Sequence, residues 1–196
     1  MARPRTPNNN RERMLASGIQ LLKMHGYHGM SIKQLVDEIG VPKGSFYNYF
    51  PSKEEFVAAA INQYGEDNRQ LLLQTTTEQG TARQQIESFF SALELTLNTG
   101  DAPSPCLISA LTTEISQSSS LCRTQLLEVT ELAKQHLAGL IEDGQRDNSF
   151  NSTLSADSIA ALLYNSWHGQ LLQYQLTGDK DCLQNQTSQL LDLFTQ

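Results

Sequence analysis

Apolar residues recur every three or four positions along most of this 196-residue chain. That spacing places them on one face of an α-helix, as with Met14, Leu15, Ile19 and Leu22 near the N-terminus. No segment shows the sustained alternation of apolar and polar residues that is typical of a half-buried β-strand. The pattern therefore predicts an all-α protein.

Capping residues and helix breakers mark the ends of the predicted helices. Ser31 suits the N-cap of a short helix that Gly40 closes, and Ser52 with Glu55 has the spacing of a capping box. The prolines and consecutive asparagines of residues 1–10 are typical of a flexible arm. The predicted helices cover residues 11–26, 32–39, 42–50, 52–77, 81–98, 104–116, 121–142, 155–177 and 180–195.

The second and third predicted helices are joined by a short turn, residues 38–42, in which Gly40 permits a positive φ. Two short helices joined in this way form a helix-turn-helix, whose second helix enters the major groove of DNA. Small residues allow close approach to the groove, while lysine and tyrosine side chains reach bases and phosphates. The alternative is an ordinary three-helix packing unit with exposed tyrosines. The candidate DNA contacts are Lys43, Gly44, Ser45, Tyr47, Asn48, Tyr49 and Lys53.

The uneven distribution of charge favours the DNA-binding interpretation. Residues 1–53 hold eight of the fourteen lysines and arginines with three acidic residues, whereas residues 54–196 hold six basic and eighteen acidic residues. A basic head on an acidic body presents one surface to a polyanion, so the net charge of −7 does not exclude DNA binding. We predict a DNA-binding domain with its N-terminal arm over residues 1–53, and a helical regulatory and dimerisation domain over residues 54–196.

A specific signature occupies the first quarter of the chain. It consists of Gly-Tyr at residues 26–27, Ser31, Ile-Gly-Val at residues 39–41, and Gly-Ser-Phe-Tyr-Asn-Tyr-Phe-Pro-Ser-Lys-Glu-Glu-Phe at residues 44–56. With these residues the chain resembles the TetR family of bacterial transcriptional regulators. The resemblance implies an Ω-shaped homodimer that binds double-stranded operator DNA through a three-helix head. It also implies a helical body that binds an inducer and dimerises through its last two long helices.

The resemblance also implies particular DNA contacts. Many family members carry histidine where this chain has Tyr49, and a tyrosine can still contact phosphate. The departure therefore bears on base preference and not on DNA binding itself. The contacts implied by the family are Ser31, Lys33, Lys43, Ser45, Tyr47, Tyr49 and Lys53.

Cys106 is the candidate sensor of a chemical signal. It lies one or two residues into the sixth predicted helix, where the helix dipole and unpaired N–H groups favour the reactive thiolate. The alternative is a cysteine that packs as a small buried hydrophobe. Residues 105–108 with Glu114 resemble a TetR subgroup that includes the N-ethylmaleimide reductase repressor. Regulators of that subgroup are associated with reactive electrophiles and oxidants.

Tyr164, Trp167 and His168 lie at helical spacing in the eighth predicted helix and are candidates for a ligand pocket in the body. An aromatic stripe of this kind also fits a core or a dimer interface. A noncovalent hydrophobic inducer bound there is the alternative to a thiol-reactive compound acting on Cys106.

Enzyme signatures are absent from the sequence, which contains no GxGxxG, GxxxxGK, HExxH or nucleophile elbow. Cysteine and histidine spacings do not suggest a metal site, and no apolar stretch is long enough for a membrane span or a signal peptide. We therefore expect a cytoplasmic protein without cofactor or metal. The predicted function is a dimeric DNA-binding transcriptional repressor released from its operator by a signal in the body. A helical interaction module and a small cysteine enzyme remain alternatives.

Overall fold

The computed structural model describes residues 9–76, 80–97, 105–179 and 181–195, without the side chains of Asp181, Cys182, Gln184 and Asn185. Within these ranges every regular element is an α-helix, which confirms the predicted fold class. Most of the predicted arm and the predicted helix start at residue 104 lie outside the described residues. The helices are α1 (Asn10–Gly29), α2 (Ile32–Ile39), α3 (Lys43–Tyr47), α4 (Lys53–Thr75), α5 (Ala82–Leu97), α6 (Leu107–Ile115), α7 (Ser120–Arg146), α8 (Ala156–Thr177) and α9 (Asp181–Asp192).

The third helix is shorter than predicted. It ends at Tyr47 and not near residue 50. Phe50 precedes Pro51, and steric contact with a following proline disfavours the helical conformation. The Phe50 N–H still donates to the Phe46 carbonyl at 3.0 Å, so the chain turns tightly after the helix.

The seventh helix is longer than predicted, because Gly144 lies inside it and does not begin a loop. Gly144 is buried, and a Cβ added there would come within 2.4 Å of the Phe150 ring. The missing side chain thus leaves room for Phe150, and the helix continues to Arg146. An added Cβ would also come within 2.9 Å of Ala82 on α5, a contact distant in sequence that the residues around Gly144 do not show.

Contacts divide the chain into two compact units, the first of which contains Met1–Tyr64 and Leu107–Leu126. Its core includes Phe46, Phe50 and Phe56, whose ring centres lie 5.0–5.5 Å apart. At Gly18 helix α1 passes so close to α4 that an added Cβ would lie 2.1 Å from the Phe56 ring. This packing holds the helix-turn-helix against α1 and α4.

The second unit contains Gly65–Cys106 and Leu127–Gln196. Helices α8 and α9 pack together in it, and a buried hydrogen bond of 3.1 Å joins the Thr187 hydroxyl to Gln170. The two units do not coincide with the predicted domains, which divide after residue 53. The first unit also contains the start of α4, α6 and the first turns of α7. The division into a DNA-binding and a regulatory domain at that residue stays a prediction, since it concerns function.

Arg83 on α5 fixes the end of α9 within the second unit. Its guanidinium lies 2.6 Å from the Asp192 carboxylate and donates to the Thr195 hydroxyl at 2.6 Å. It also pairs with Glu87 one turn further along α5, at 3.1 Å. A guanidinium that binds Glu87 on α5, Asp192 on α9 and Thr195 just beyond α9 fixes the two helices better than a single exposed ion pair.

Candidate DNA-binding surface and sensor region

Helix α2 carries both caps that the sequence predicts. At its start the Ser31 hydroxyl oxygen accepts a hydrogen bond from the Gln34 N–H at 3.1 Å. At its end Gly40 has φ 70° and ψ 40°, and the Val41 N–H donates to the Val36 carbonyl at 3.0 Å. Glycine adopts this left-handed conformation without the strain of a Cβ, so the chain can turn sharply into α3.

Helix α3 and its C-cap residue present an exposed polar face formed by Lys43, Gly44, Tyr47 and Asn48. We call these four residues the α3 surface. Phe46 lies on the opposite side and is fully buried, which fixes the orientation of this short helix. No atom lies within 4 Å of a Cβ added at Gly44, so its backbone is open to a closely approaching partner.

The remaining predicted contacts of the helix-turn-helix differ in exposure. Ser31 and Lys33 are exposed, whereas Ser45 and Tyr49 are half-buried. The Lys33 ammonium pairs with Asp37 at 2.5 Å on the surface of α2. Exposed pairs of this kind contribute little free energy, so the ammonium can exchange its partner for a phosphate. The assignment of these side chains to DNA stays a prediction.

Lys53 has a structural role that the sequence did not reveal. Its ammonium donates to the carbonyls of Tyr27 and Met30, the latter at 2.6 Å, and lies 4.5 Å from the centre of the Tyr27 ring. Burial lowers the pKa of Lys53, and the charge of Glu114 acts in the opposite direction. The side chain joins the start of α4 to the end of α1. No sequence pattern marks this contact, because only the fold brings those carbonyls to Lys53.

Cys106 directly precedes Leu107, the first residue of α6, and does not lie inside the helix as predicted. A helix end is set by hydrogen bonds that the sequence does not display, and the side chain still stands at the start of the helix. It is buried, with 6% of its surface exposed, as is usual for a cysteine that packs as a small hydrophobe. Its role as a sensor stays a prediction.

Tyr164 and His168 form a ring pair in the second unit, with centres 4.4 Å apart. Burial raises the pKa of Tyr164 to about 12; its hydrogen bond with the Thr130 hydroxyl, at 3.3 Å, opposes that rise. Electrostatic interaction with Cys106 adds to the rise in the pKa of Tyr164, so the two residues lie within electrostatic range of each other. The structure thus brings the candidate sensor close to part of the predicted pocket.

Trp167 lies on a different feature, a cavity of about 310 Å³ within the second unit. The residue is 7% exposed, and its ring pairs with Phe90 at a centre distance of 5.0 Å. The volume is at the lower end of the range for small-molecule sites. Neither Tyr164 nor His168 lines this cavity, so the predicted pocket residues divide between two places. The cavity is lined by Glu87, Phe90, Ser91, Glu94, Trp167, Leu183, Thr187 and Ser188.

His168 is expected to make stability depend on pH. Burial lowers the pKa of His168 from 6.5 to about 4, so the native imidazole stays neutral where the unfolded chain is already protonated. This contribution to folding stability is fully present above the pKa that His168 has in the unfolded chain, and it is lost as the pH falls through the lower pKa of the folded protein. A pKa shift of one unit between the unfolded and folded states corresponds to about 1.4 kcal/mol of stability. His168→Gln should therefore reduce the acid-induced loss of unfolding free energy by about 2–3 kcal/mol.

The measurement is urea denaturation at a series of pH values between 7 and 4. His25→Gln is the matched control, because His25 is exposed and the same substitution should leave the slope unchanged. If His168→Gln and wild type lose stability equally on acidification, His168 is already protonated in the native state.

Among the described residues, no group of three or more His, Cys, Asp and Glu side chains comes together as a metal site. Across the same ranges, none of the helices combines the length and apolar character that crossing a membrane requires.

Both parts of the chain match families of known regulators. The family described as bacterial regulatory proteins, tetR family, matches residues 14–60. The family described as tetracyclin repressor-like, C-terminal domain, matches residues 80–190. The first match covers the helix-turn-helix, and the second covers the cavity and the Tyr164–His168 pair.

Relatives match over nearly the whole length. The chain is 29% identical over 174 residues to the HTH-type transcriptional repressor DhaR of Mycobacterium sp., covering 88% of this chain and 86% of the relative. It is 28% identical over 181 residues to the HTH-type transcriptional repressor NemR of Escherichia coli, covering 92% and 91%. The crystal structure of the reduced form of E. coli NemR superposes with a TM-score of 0.87 at 27% identity, covering 96% and 98%. These matches confirm the resemblance, and the chain belongs to the TetR family of bacterial regulatory proteins.

Proposed function

We propose that the protein is a homodimeric transcriptional repressor that binds operator DNA through the α3 surface and is released by a signal in its second unit. The α3 surface is the observation that carries this proposal. It combines a basic side chain, a tyrosine, an amide and an open glycine on a helix held by the buried Phe46. A helix with such a face fits the major groove, and the excess of basic residues before residue 54 favours a polyanion.

An exposed apolar face of α8 supports the dimer. Leu162, Leu172 and Leu176 are 45%, 57% and 81% exposed, and their spacing places them on one side of the helix with the exposed Gly169. No atom of the same chain lies within 4 Å of a Cβ added at Gly169, so another helix can approach closely there. Leucines left uncovered together on one face favour burial against a second copy.

We propose a thiol-reactive electrophile or oxidant at Cys106 as the releasing signal. Because Cys106 is almost fully buried at the start of α6, an adduct there adds volume in a packed region. A noncovalent ligand is the second candidate, favoured by the cavity beside Phe90 and Trp167. Both signals act within the second unit, and experiments that alter the thiol separate them.

Release requires two states of the dimer with different affinities for DNA. A symmetric dimer contacts two half-sites spaced by about 34–36 Å or a multiple of it. A ligand or adduct that favours a different spacing of the two heads weakens binding by its differential affinity for the two states. A tenfold loss of operator affinity corresponds to about 1.4 kcal/mol.

Adding a side chain at Gly44 tests the DNA-binding proposal. Gly44→Val should keep the fold, because no atom surrounds the new Cβ, and should weaken binding by about tenfold or more, because the branched side chain keeps α3 from the groove floor. The probe is the duplex that wild type selects from a random-sequence library. Affinity is measured by fluorescence anisotropy at one salt concentration, since affinity for DNA varies with salt.

Gly139→Val is the matched control. Gly139 is also exposed, on α7, with no atom within 4 Å of an added Cβ, so this variant should bind like wild type. Equal affinity of Gly44→Val and wild type would remove the α3 surface from the DNA interface. A wild-type protein that selects no sequence from the library would overturn operator binding itself.

A further inference from the structure

Two side chains of opposite charge bind the backbone of residues 26–30, one through its N–H groups and the other through its carbonyls. Glu114 on α6 accepts hydrogen bonds from the N–H groups of Tyr27 and His28 at 2.7 and 2.8 Å. Lys53 on α4 donates to the carbonyls of Tyr27 and Met30. Hydrogen bonds to ionised groups are stronger than neutral ones, so α4 and α6 are both firmly attached to the end of α1.

Gly26 makes this arrangement possible. Its φ of 68° and ψ of −177° lie in a region that is essentially restricted to glycine. The kink interrupts α1 and turns the N–H groups of Tyr27 and His28 toward Glu114. A Cβ at Gly26 would lie 2.4 Å from a carboxylate oxygen of Glu114. The glycine thus provides both the backbone direction and the space for the carboxylate.

Residues 26–30 lead directly into the helix-turn-helix, since Ser31 is the N-cap of α2. Glu114 lies seven residues beyond the first residue of α6, about 10 Å along a rigid helix. Cys106 immediately precedes that helix. A displacement of α6 therefore moves the Glu114 carboxylate, and the two hydrogen bonds transfer that movement to the segment that enters α2.

We propose that Glu114 is a positioning residue that couples movement of α6 to the DNA-binding helices through its hydrogen bonds to Tyr27 and His28. The inference rests on the proposed release of DNA by a signal in the second unit. Lys53 on α4 binds the same segment, so α4 and α6 both contact the end of α1 immediately before the helix-turn-helix. Removing the carboxylate should reduce the response to the signal more than it reduces DNA binding itself.

Glu114→Gln is the variant that tests this role, because it keeps the shape but leaves one acceptor oxygen for two N–H groups. The full-length protein is treated with N-ethylmaleimide, and mass spectrometry confirms the adduct on Cys106. Wild type should lose about tenfold or more in affinity for its selected duplex, a usual size for coupling between sites. Glu114→Gln should bind the duplex within about threefold of wild type and lose less than about twofold on alkylation. Glu142→Gln, the same change at an exposed carboxylate of α7, should respond like wild type.

Amide hydrogen exchange at Tyr27 and His28 reports on this segment directly and needs neither DNA nor the Glu114→Gln variant. Alkylation should change the exchange of these two amides in wild type and leave it unchanged in Cys106→Ser. Full release of Glu114→Gln by alkylation would overturn the proposal. If wild type carries the adduct but keeps its affinity for DNA, the proposed release through Cys106 is wrong. Hydrogen exchange at Tyr27 and His28 is then the measurement that tests the role of Glu114. Unchanged exchange then overturns its coupling role, and altered exchange supports it.

Discussion

Replacing Leu172 and Leu176 with glutamate is expected to give a folded monomer that no longer binds operator DNA tightly. Both side chains are more than half exposed in the single chain, so their replacement should not disturb its core. In the proposed dimer these positions lie in the interface, where buried carboxylates without partners oppose association. Since two linked heads gain about 100-fold or more over one, affinity for a two-half-site duplex should fall by about that factor.

Light scattering after gel filtration measures the mass, and fluorescence anisotropy measures the affinity for the selected duplex. The control is the double replacement of Leu73 and Leu95 with glutamate, because both are at least half exposed but lie on α4 and α5. This control should remain dimeric and bind DNA normally. A dimeric protein carrying both α8 replacements would place the interface on another surface.

The fold could be predicted from the sequence where local signals act alone. Ser31 and Gly40 define α2 because a cap needs only the residue itself and its neighbours along the chain. Gly144 shows where such reasoning fails. The polar residues around it predicted a loop from residue 143, yet the helix continues to Arg146, and the space of the missing side chain lies against Phe150 and Ala82. Ala82 is on α5, far from Gly144 in the sequence, so the local pattern could not show this packing.

The candidate site shows the same division. The exposed position of Lys43, Gly44, Tyr47 and Asn48 follows from helical spacing around one buried phenylalanine, so the sequence could predict it. Lys53 stays a predicted DNA contact, but the sequence could not predict its structural role, because the carbonyls that accept its hydrogen bonds lie 23 and 26 residues away in the chain. The family resemblance included Glu114 without indicating what it binds. Its partners are backbone amides, which have the same chemistry at every residue and leave no mark in a sequence.

Replacing Cys106 with serine is expected to preserve operator binding and to abolish release by thiol-reactive electrophiles. Serine has nearly the same size and cannot form the same adduct, so the buried position should remain filled. In wild type a small electrophile that reaches the thiol adds bulk beside the first residue of α6 and near Tyr164. A gel shift with and without N-ethylmaleimide should show about tenfold or more loss of affinity in wild type, and less than about twofold in Cys106→Ser.

Cys122→Ser and Lys134→Arg identify the reacting group. Cys122 is fully buried, and burial raises the pKa of its thiol, which keeps it protonated and unreactive, so Cys122→Ser should be released like wild type. Lysine is the rival covalent target, and beyond residue 53 the sequence has only Lys134 and Lys180, of which Lys180 lies outside the described residues. The Lys134 ammonium lies 3.0 Å from Glu131 and 5.7 Å from the centre of the Tyr164 ring. Loss of release in Lys134→Arg alone would assign the chemistry to the amine. Equal release of wild type and all three variants would make Cys106 a packing residue. The cavity beside Trp167 would then be the better place to look for a noncovalent inducer.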